Sequence, residues 1–170
     1  MRTMKNVRTA TVDLPAVQMS IVLPIAAFFI PLFIPSPQLV VGFLVNMLLV
    51  LYALRLPSKT YTIMCLLPSI GALGNGLLFG TSTPYLTYLL PGIWVGNAAF
   101  VWAIRLFFRY AFSVRIGIGA CFKSLMIFFT AYILVALHIV PSSLLIPMGA
   151  IQIVTAVMGG AAAVMLHTRI

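Results

Sequence analysis

The sequence has almost no acid. Among 170 residues Asp13 is the single Asp or Glu, and charged residues of both signs together make up only 6%. A water-soluble domain carries about a quarter charged residues, because it must cover itself with a solvated surface, so a soluble fold is excluded. Carriers driven by protons or sodium keep an Asp or Glu inside the membrane, and most hydrolytic chemistry uses a carboxylate or a metal. Asp13 stands at the start of the first apolar run, where a carboxylate favours a helix N-terminus. Ion-coupled carriage, a carboxylate-lined cation pathway and enzymatic activity are therefore not expected. Cysteine is scarce too. Cys65 and Cys121 lie in apolar runs, form no CxxC and have no histidine cluster beside them. They read as small apolar residues, and neither a metal centre nor a cofactor is expected.

What the chain has in abundance is apolar sequence: 63% of its residues are hydrophobic and its mean hydropathy is +1.19. A helix crosses a ~30 Å hydrocarbon core with about 20 apolar residues at ~1.5 Å each. Six such runs are present, at about 14–34, 38–54, 60–79, 85–108, 114–140 and 143–166. Pro35-Ser36-Pro37, Pro57-Ser58-Lys59, the stretch from Gly80 to Pro84 and Pro141-Ser142-Ser143 separate them. Between the fourth and fifth runs the boundary is marked by Arg109 and Arg115 instead. The expected architecture is all-α: residues 1–12 as a basic cytoplasmic tail and 13–170 as one transmembrane domain of six helices. The first run has no small-residue cleavage site, so it reads as a spanning helix and not a signal peptide.

Charge gives this bundle a direction. Lys and Arg near helix ends accumulate on the cytoplasmic side. Arg2, Lys5 and Arg8 lie in the tail, Arg55 and Lys59 in the second connection, Arg105, Arg109 and Arg115 around the fourth, and Arg169 at the C-terminus. The first, third and fifth connections have none. Six spans put all of these on one face, with both termini cytoplasmic, in a multi-pass protein of the inner membrane. The pI near 10.3 then reflects membrane anchors against anionic headgroups. A nucleic-acid partner is not expected, since that would need basic residues on a solvated face.

The polar groups inside the runs are few. Asn46, Asn75, Asn97, Lys123, His138 and Gln152 are the largest, and each is costly in hydrocarbon without a partner, a cavity or water. Counted from Arg55, Arg105 and Arg115, residues Asn46, Asn97 and Lys123 all lie roughly 12 Å inside the basic end of their helices. Asn75, His138 and Gln152 lie nearer the other end. An intramembrane amine such as Lys123 marks a functional site by default; the competing readings are snorkelling or a structural hydrogen bond to Asn97 or Asn46. Lys123 and Asn46 are candidates for a conformational role. His138, close to the outer boundary, is either an interfacial residue or a ligand contact.

Runs three and four share a pattern: Pro68 is followed by Gly74-Asn75-Gly76, and Pro91 by Gly96-Asn97. Proline removes a backbone donor and glycine eases a break, so broken helices lining a solute site are one expectation. Close packing through Gly76-x-x-x-Gly80 is the other. The small face of run six, with Thr155, Ala156, Gly159, Gly160 and Ala163, reads as packing. Tyr88 and Trp94 lie near the outer end of run four, as an interfacial belt or as the wall of an outward-opening pocket.

A chain of this length with six spans, both ends inside, and the stretch Pro68 to Asn97 with its Gly-Asn pairs and Pro91-Gly92-Ile93-Trp94-Val95-Gly96-Asn97 resembles the substrate-binding S components of energy-coupling factor (ECF) transporters, and small S-component-like proteins encoded near hydrogenase genes. The resemblance implies a coupling subunit and paired ATPases as partners. Family members often carry an Ala-x-x-x-Ala face on the first span; here the nearest small pair is Ala16 and Ser20. A cobalt or nickel S component would carry an N-terminal metal-binding His, where this chain has Arg2.

Three readings follow. In the first, the chain captures a small neutral or anionic micronutrient for an ATP-driven uptake system, with Asn75, Tyr88, Trp94, Asn97, His138 and Gln152 near the small-molecule ligand. In the second, it is a non-transporting anchor or assembly subunit of a larger, hydrogenase-linked complex, and its polar groups are helix glue. The third, a lipid-acting membrane enzyme, is weakened by the missing acids.

Overall fold

The computed structural model describes residues 14–34, 36–56 and 61–168. The basic tail, Asp13, Lys59 and Arg169 lie outside them. Every regular element among the described residues is helical: α1 (Leu14–Phe33), α2 (Gln38–Arg55), α3 (Tyr61–Asn75), α4 (Leu86–Leu106), α5 (Phe112–Ala136), a short α6 (Leu145–Met148) and α7 (Ala150–His167). Short 3₁₀ turns, Gly80–Tyr85 and Ser142–Leu144, lead into α4 and α6. Four helical segments are long and apolar enough to cross a membrane: Gln38–Arg55, Gly80–Leu106, Phe112–Ala136 and Ser142–His167. A further apolar helical stretch covers Gln18–Phe33. With 15 residues, α3 is ~22 Å long, shorter than a full hydrocarbon crossing.

The burial pattern is inverted relative to a soluble protein. Phe122, Leu125, Phe129, Tyr132 and Ile133 form an exposed apolar stripe along α5. Asn46, Asn97, Lys123, Ser124 and Thr155 are buried inside. Apolar outside and polar inside is the arrangement that a hydrocarbon solvent selects.

The helices pack mainly in pairs, α4 on α5, α2 on α7 and α1 on α3. Small residues set the spacing. A Cβ on Gly159 would stand 2.5 Å from the Phe43 carbonyl oxygen and 2.7 Å from the Met47 nitrogen of α2, so α7 and α2 meet backbone to backbone. This is the small-residue face of the last run, with Thr155, Ala156, Gly160 and Ala163 buried beside it.

Three arginines close one end of the bundle. The last carbonyls of a helix lack intrahelical donors, and cations complement the negative end of its dipole. Arg105 of α4 donates to Leu56 O at 2.7 Å and Ala53 O at 3.3 Å, at the end of α2. Arg115 of α5 donates to Ile104 O at the end of α4. Arg55 of α2 donates to His167 O at 3.0 Å and His167 Nδ1 at 2.6 Å, at the end of α7. The C-terminal ends of α2, α4 and α7 therefore share a face with the start of α5.

Several boundaries differ from the sequence expectation. The third run stops as a helix at Asn75, four residues before Phe79, because Gly76 takes φ +75. Gly76 and Gly80 (φ +56) are turn residues with open space where a side chain would be; they pack no helix. Thr83 staples this turn, accepting from Phe79 N at 3.0 Å and donating to Gly80 O at 2.9 Å. The fifth run ends at Ala136 and not near Val140. His138, at φ +57, occupies the left-handed position after the helix; its N–H donates to Val135 O, and that of Ile139 to Leu134 O. Those two bonds form a Schellman cap, a place usually given to glycine. The helices also run unbroken through Pro68 and Pro91. The discontinuous helix is the last one, which breaks at Gly149 (φ −110, ψ −92) between α6 and α7.

Candidate functional site

A cavity of about 80 Å³ lies between α2, α3, α4, α5 and α7. It runs from Gln38, Leu86 and Met148, at the end of the bundle away from the arginines, to a floor of Asn46, Asn97, Lys123 and Thr155. A void of this size holds a few waters, a small ring, or the buried tip of something larger. Its walls are otherwise mostly apolar, with Pro31, Val41, Ile93 and Ile151 among them.

The floor is at mid-bundle because each of its residues stands near the middle of its helix. Gln38 to Asn46 is eight residues, or ~12 Å of depth. Lys123 Nζ donates to Asn46 Oδ1 at 2.6 Å. Asn46 Nδ2 donates to Thr155 Oγ1 at 3.1 Å, and Thr155 Oγ1 donates to Ile151 O at 2.9 Å. The chain runs one way, from an amine that donates to a carbonyl that accepts, and joins α5, α2 and α7. The Lys123 amine also lies 5.6 Å from the centre of the Phe100 ring, within cation–π range.

Asn97 faces the same cavity from α4 and is 2% exposed. Its Nδ2 donates to Cys65 O of α3 at 2.9 Å. Its Oδ1 is buried and has no hydrogen-bond partner among the described residues. A buried acceptor left unmade costs about 1–3 kcal/mol, so this oxygen is a standing cost in a cavity that Lys123 also lines.

The break in the last helix borders the upper wall. It frees the Pro147 carbonyl, which accepts from Gln38 Nε2 at 3.2 Å and Gln152 Nε2 at 3.4 Å. The Gly149 carbonyl accepts from Ser124 Oγ at 2.8 Å. Irregular backbone inside a helical bundle needs such partners.

Of the residues singled out from sequence, the structure brings Asn46, Asn97, Lys123 and Gln152 to this one cavity. The others stand elsewhere. Asn75 Nδ2 donates to Leu32 O at 2.6 Å, tying the ends of α3 and α1. Trp94 Nε1 donates to Ser69 Oγ at 2.8 Å, tying α4 to α3. Tyr88 is exposed. His138 caps α5 and, with Tyr85 and Ser142, borders a separate surface depression. Thr155, Gln38 and Ser69 also line the cavity and were not singled out as site residues. Thr155 was legible only as part of a small-residue face. Gln152 was legible as an amide inside an apolar run; the signal that could have pointed to Gln38 is Pro147-Met148-Gly149, a helix breaker whose free carbonyl both amides serve.

The described chain is an all-helical protein with a polar-floored cavity among its helices, four of them long and apolar enough to cross a membrane. Comparison with known proteins finds no matching family model, no similar curated protein and no similar solved structure.

Proposed function

We propose that the chain is the substrate-specific membrane subunit of an ATP-driven uptake transporter of the energy-coupling factor type, taking a small neutral or anionic micronutrient. The observation that carries the reading is the cavity floor: Lys123, Asn46, Asn97 and Thr155 at mid-bundle, with an acceptor oxygen left over. Packing alone does not call for a buried lysine, which costs several kcal/mol to desolvate. Solute sites of membrane carriers lie near the midplane beside discontinuous helices, and the break at Gly149 stands beside this cavity. Among the described residues no Asp or Glu lines the wall, so the energy for uptake would come from partner ATPases through a coupling subunit.

The proposed setting is the inner membrane, crossed six times with both termini in the cytoplasm. The arginine-capped end is then cytoplasmic, and the cavity opens toward the outer side. The chemistry at the site is recognition and not catalysis.

A second reading, a non-transporting anchor or assembly subunit, draws on one observation. The bonds from Lys123 through Asn46 to Thr155 link three helices and could serve as glue without a ligand. Affinity purification from native membranes separates the two. Recovery of a coupling subunit and two ATPases, with ATP-dependent uptake, is expected for the first. Recovery of a redox complex with no ATPase would replace it with the second.

A further inference from the structure

The cavity floor offers one vacant acceptor and one spare donor. Asn97 Oδ1 can only accept and has no partner among the described residues. Lys123 gives one N–H to Asn46 Oδ1; as an ammonium or as a neutral amine it keeps at least one more. Turning the Asn97 amide round does not remove the vacancy. Its Nδ2 donates to the Cys65 carbonyl at 2.9 Å, and a flipped amide would set two acceptor oxygens against each other. The Asn46 amide is fixed in the same way, between a lysine that donates and a threonine whose own proton goes to Ile151 O.

We infer that the cavity takes a neutral ligand group with an N–H and a C=O side by side, the edge of a lactam, cyclic urea or imide. The ligand carbonyl accepts from Lys123, and the ligand N–H donates to Asn97 Oδ1. A carboxylate or phosphate serves the lysine alone and sets a negative oxygen against the vacant carbonyl oxygen of Asn97. An ether or ester carbonyl has no proton to give. The apolar wall above the floor, including Val41, Ile93 and Ile151, suits the faces of a small ring. Asn97 Oδ1 is closed to solvent in this state, so no solvent-accessible water position satisfies it, and binding includes a small shift of the wall next to it. The inference rests on the solute-capture reading and narrows it from neutral or anionic to neutral with a paired donor–acceptor edge.

The test uses the full chain in lipid nanodiscs and three probes of similar size: 2-piperidone, N-methyl-2-piperidone and valerate. Binding is read by ligand-observed NMR. On the wild-type protein 2-piperidone is expected to bind saturably and at least about tenfold more tightly than either of the others, the factor for one unmade buried hydrogen bond. Asn97→Leu should erase the difference between the two lactams, and Lys123→Met should weaken both. The wild-type comparison stands whether or not those variants fold. Valerate binding as tightly as 2-piperidone, or N-methylation making no difference, would overturn the inference and leave solute capture intact with another ligand class. Binding of none of the probes overturns it as well. ATPase recovery from native membranes, scored separately, then shows whether the transport reading fails with it.

Discussion

The Lys123 amine donates to Asn46 Oδ1 at 2.6 Å, joining the middle of α5 to the middle of α2 across 77 residues of sequence. The two sides of this bond are unequal. Removing the amide strands an amine in the core, whereas removing the amine strands only a carbonyl oxygen. Asn46→Leu should therefore destabilise by about 3–5 kcal/mol, and Lys123→Met by about 1–3 kcal/mol. The double variant should recover at least about 1 kcal/mol of their sum. Reversible unfolding in bicelles measures all three; additive costs would mean that the bond does not couple the helices.

Two glycines should respond in opposite directions to one added methyl. At Gly159 the methyl meets α2 backbone at 2.5–2.7 Å, and at Gly117 it meets nothing within 4 Å. Gly159→Ala should cost about 1–3 kcal/mol by overpacking. Gly117→Ala, within α5, should gain up to about 1 kcal/mol from helix propensity. The same unfolding assay reads both.

The arginine caps make a local prediction. Arg55 holds the last carbonyl of α7 with Nη2 and the ring of the same histidine with Nε. Arg55→Gln should loosen that end, raising amide exchange near Thr168 by roughly tenfold, the equivalent of a charged hydrogen bond of about 1.5 kcal/mol. Arg55→Lys should not restore it, because an ammonium cannot reproduce the fork. Protection unchanged in both variants would show that the cap is not stabilising.

The proposed sidedness can be read with cysteine labelling, after Cys65 and Cys121 are replaced by alanine. Tyr110 and Ser142 are exposed at the two ends of α5. A membrane-impermeant maleimide should label Ser142→Cys in intact cells with the outer membrane opened, and Tyr110→Cys only after the inner membrane is permeabilised. The reverse pattern would invert the orientation, and labelling of both from one side would break the crossing scheme.

Much of the helical layout was legible in the sequence, because apolar runs and their breakers act locally. Asn46, Asn97 and Lys123 could be set at one depth by counting from Arg55, Arg105 and Arg115, since a helix converts residue number into height. Rotation about each helix axis was not legible. That is why Asn75, which turns to Leu32 O, and Trp94, which turns to Ser69, stood beside cavity residues on paper. Proline misled in a physical way: Pro68 and Pro91 lose one bond each, and the surrounding bundle keeps their helices continuous. The real break, at Gly149, carries no intramembrane charge, and two of the three polar side chains that serve it, Gln38 and Ser124, come from other helices far away in sequence. His138 looked like a solitary interfacial imidazole because backbone conformation, which gives it the left-handed cap position, has no signature in composition.

The claim on which most depends is that the mid-bundle cavity holds a solute. Native mass spectrometry of the protein released gently from its own membranes tests it most directly. The expected result is a retained small molecule on the wild-type chain, lost from both Lys123→Met and Asn97→Leu, with lipid adducts unchanged. A wild-type chain that carries only lipid in every preparation, or an adduct that persists in both variants, would contradict it.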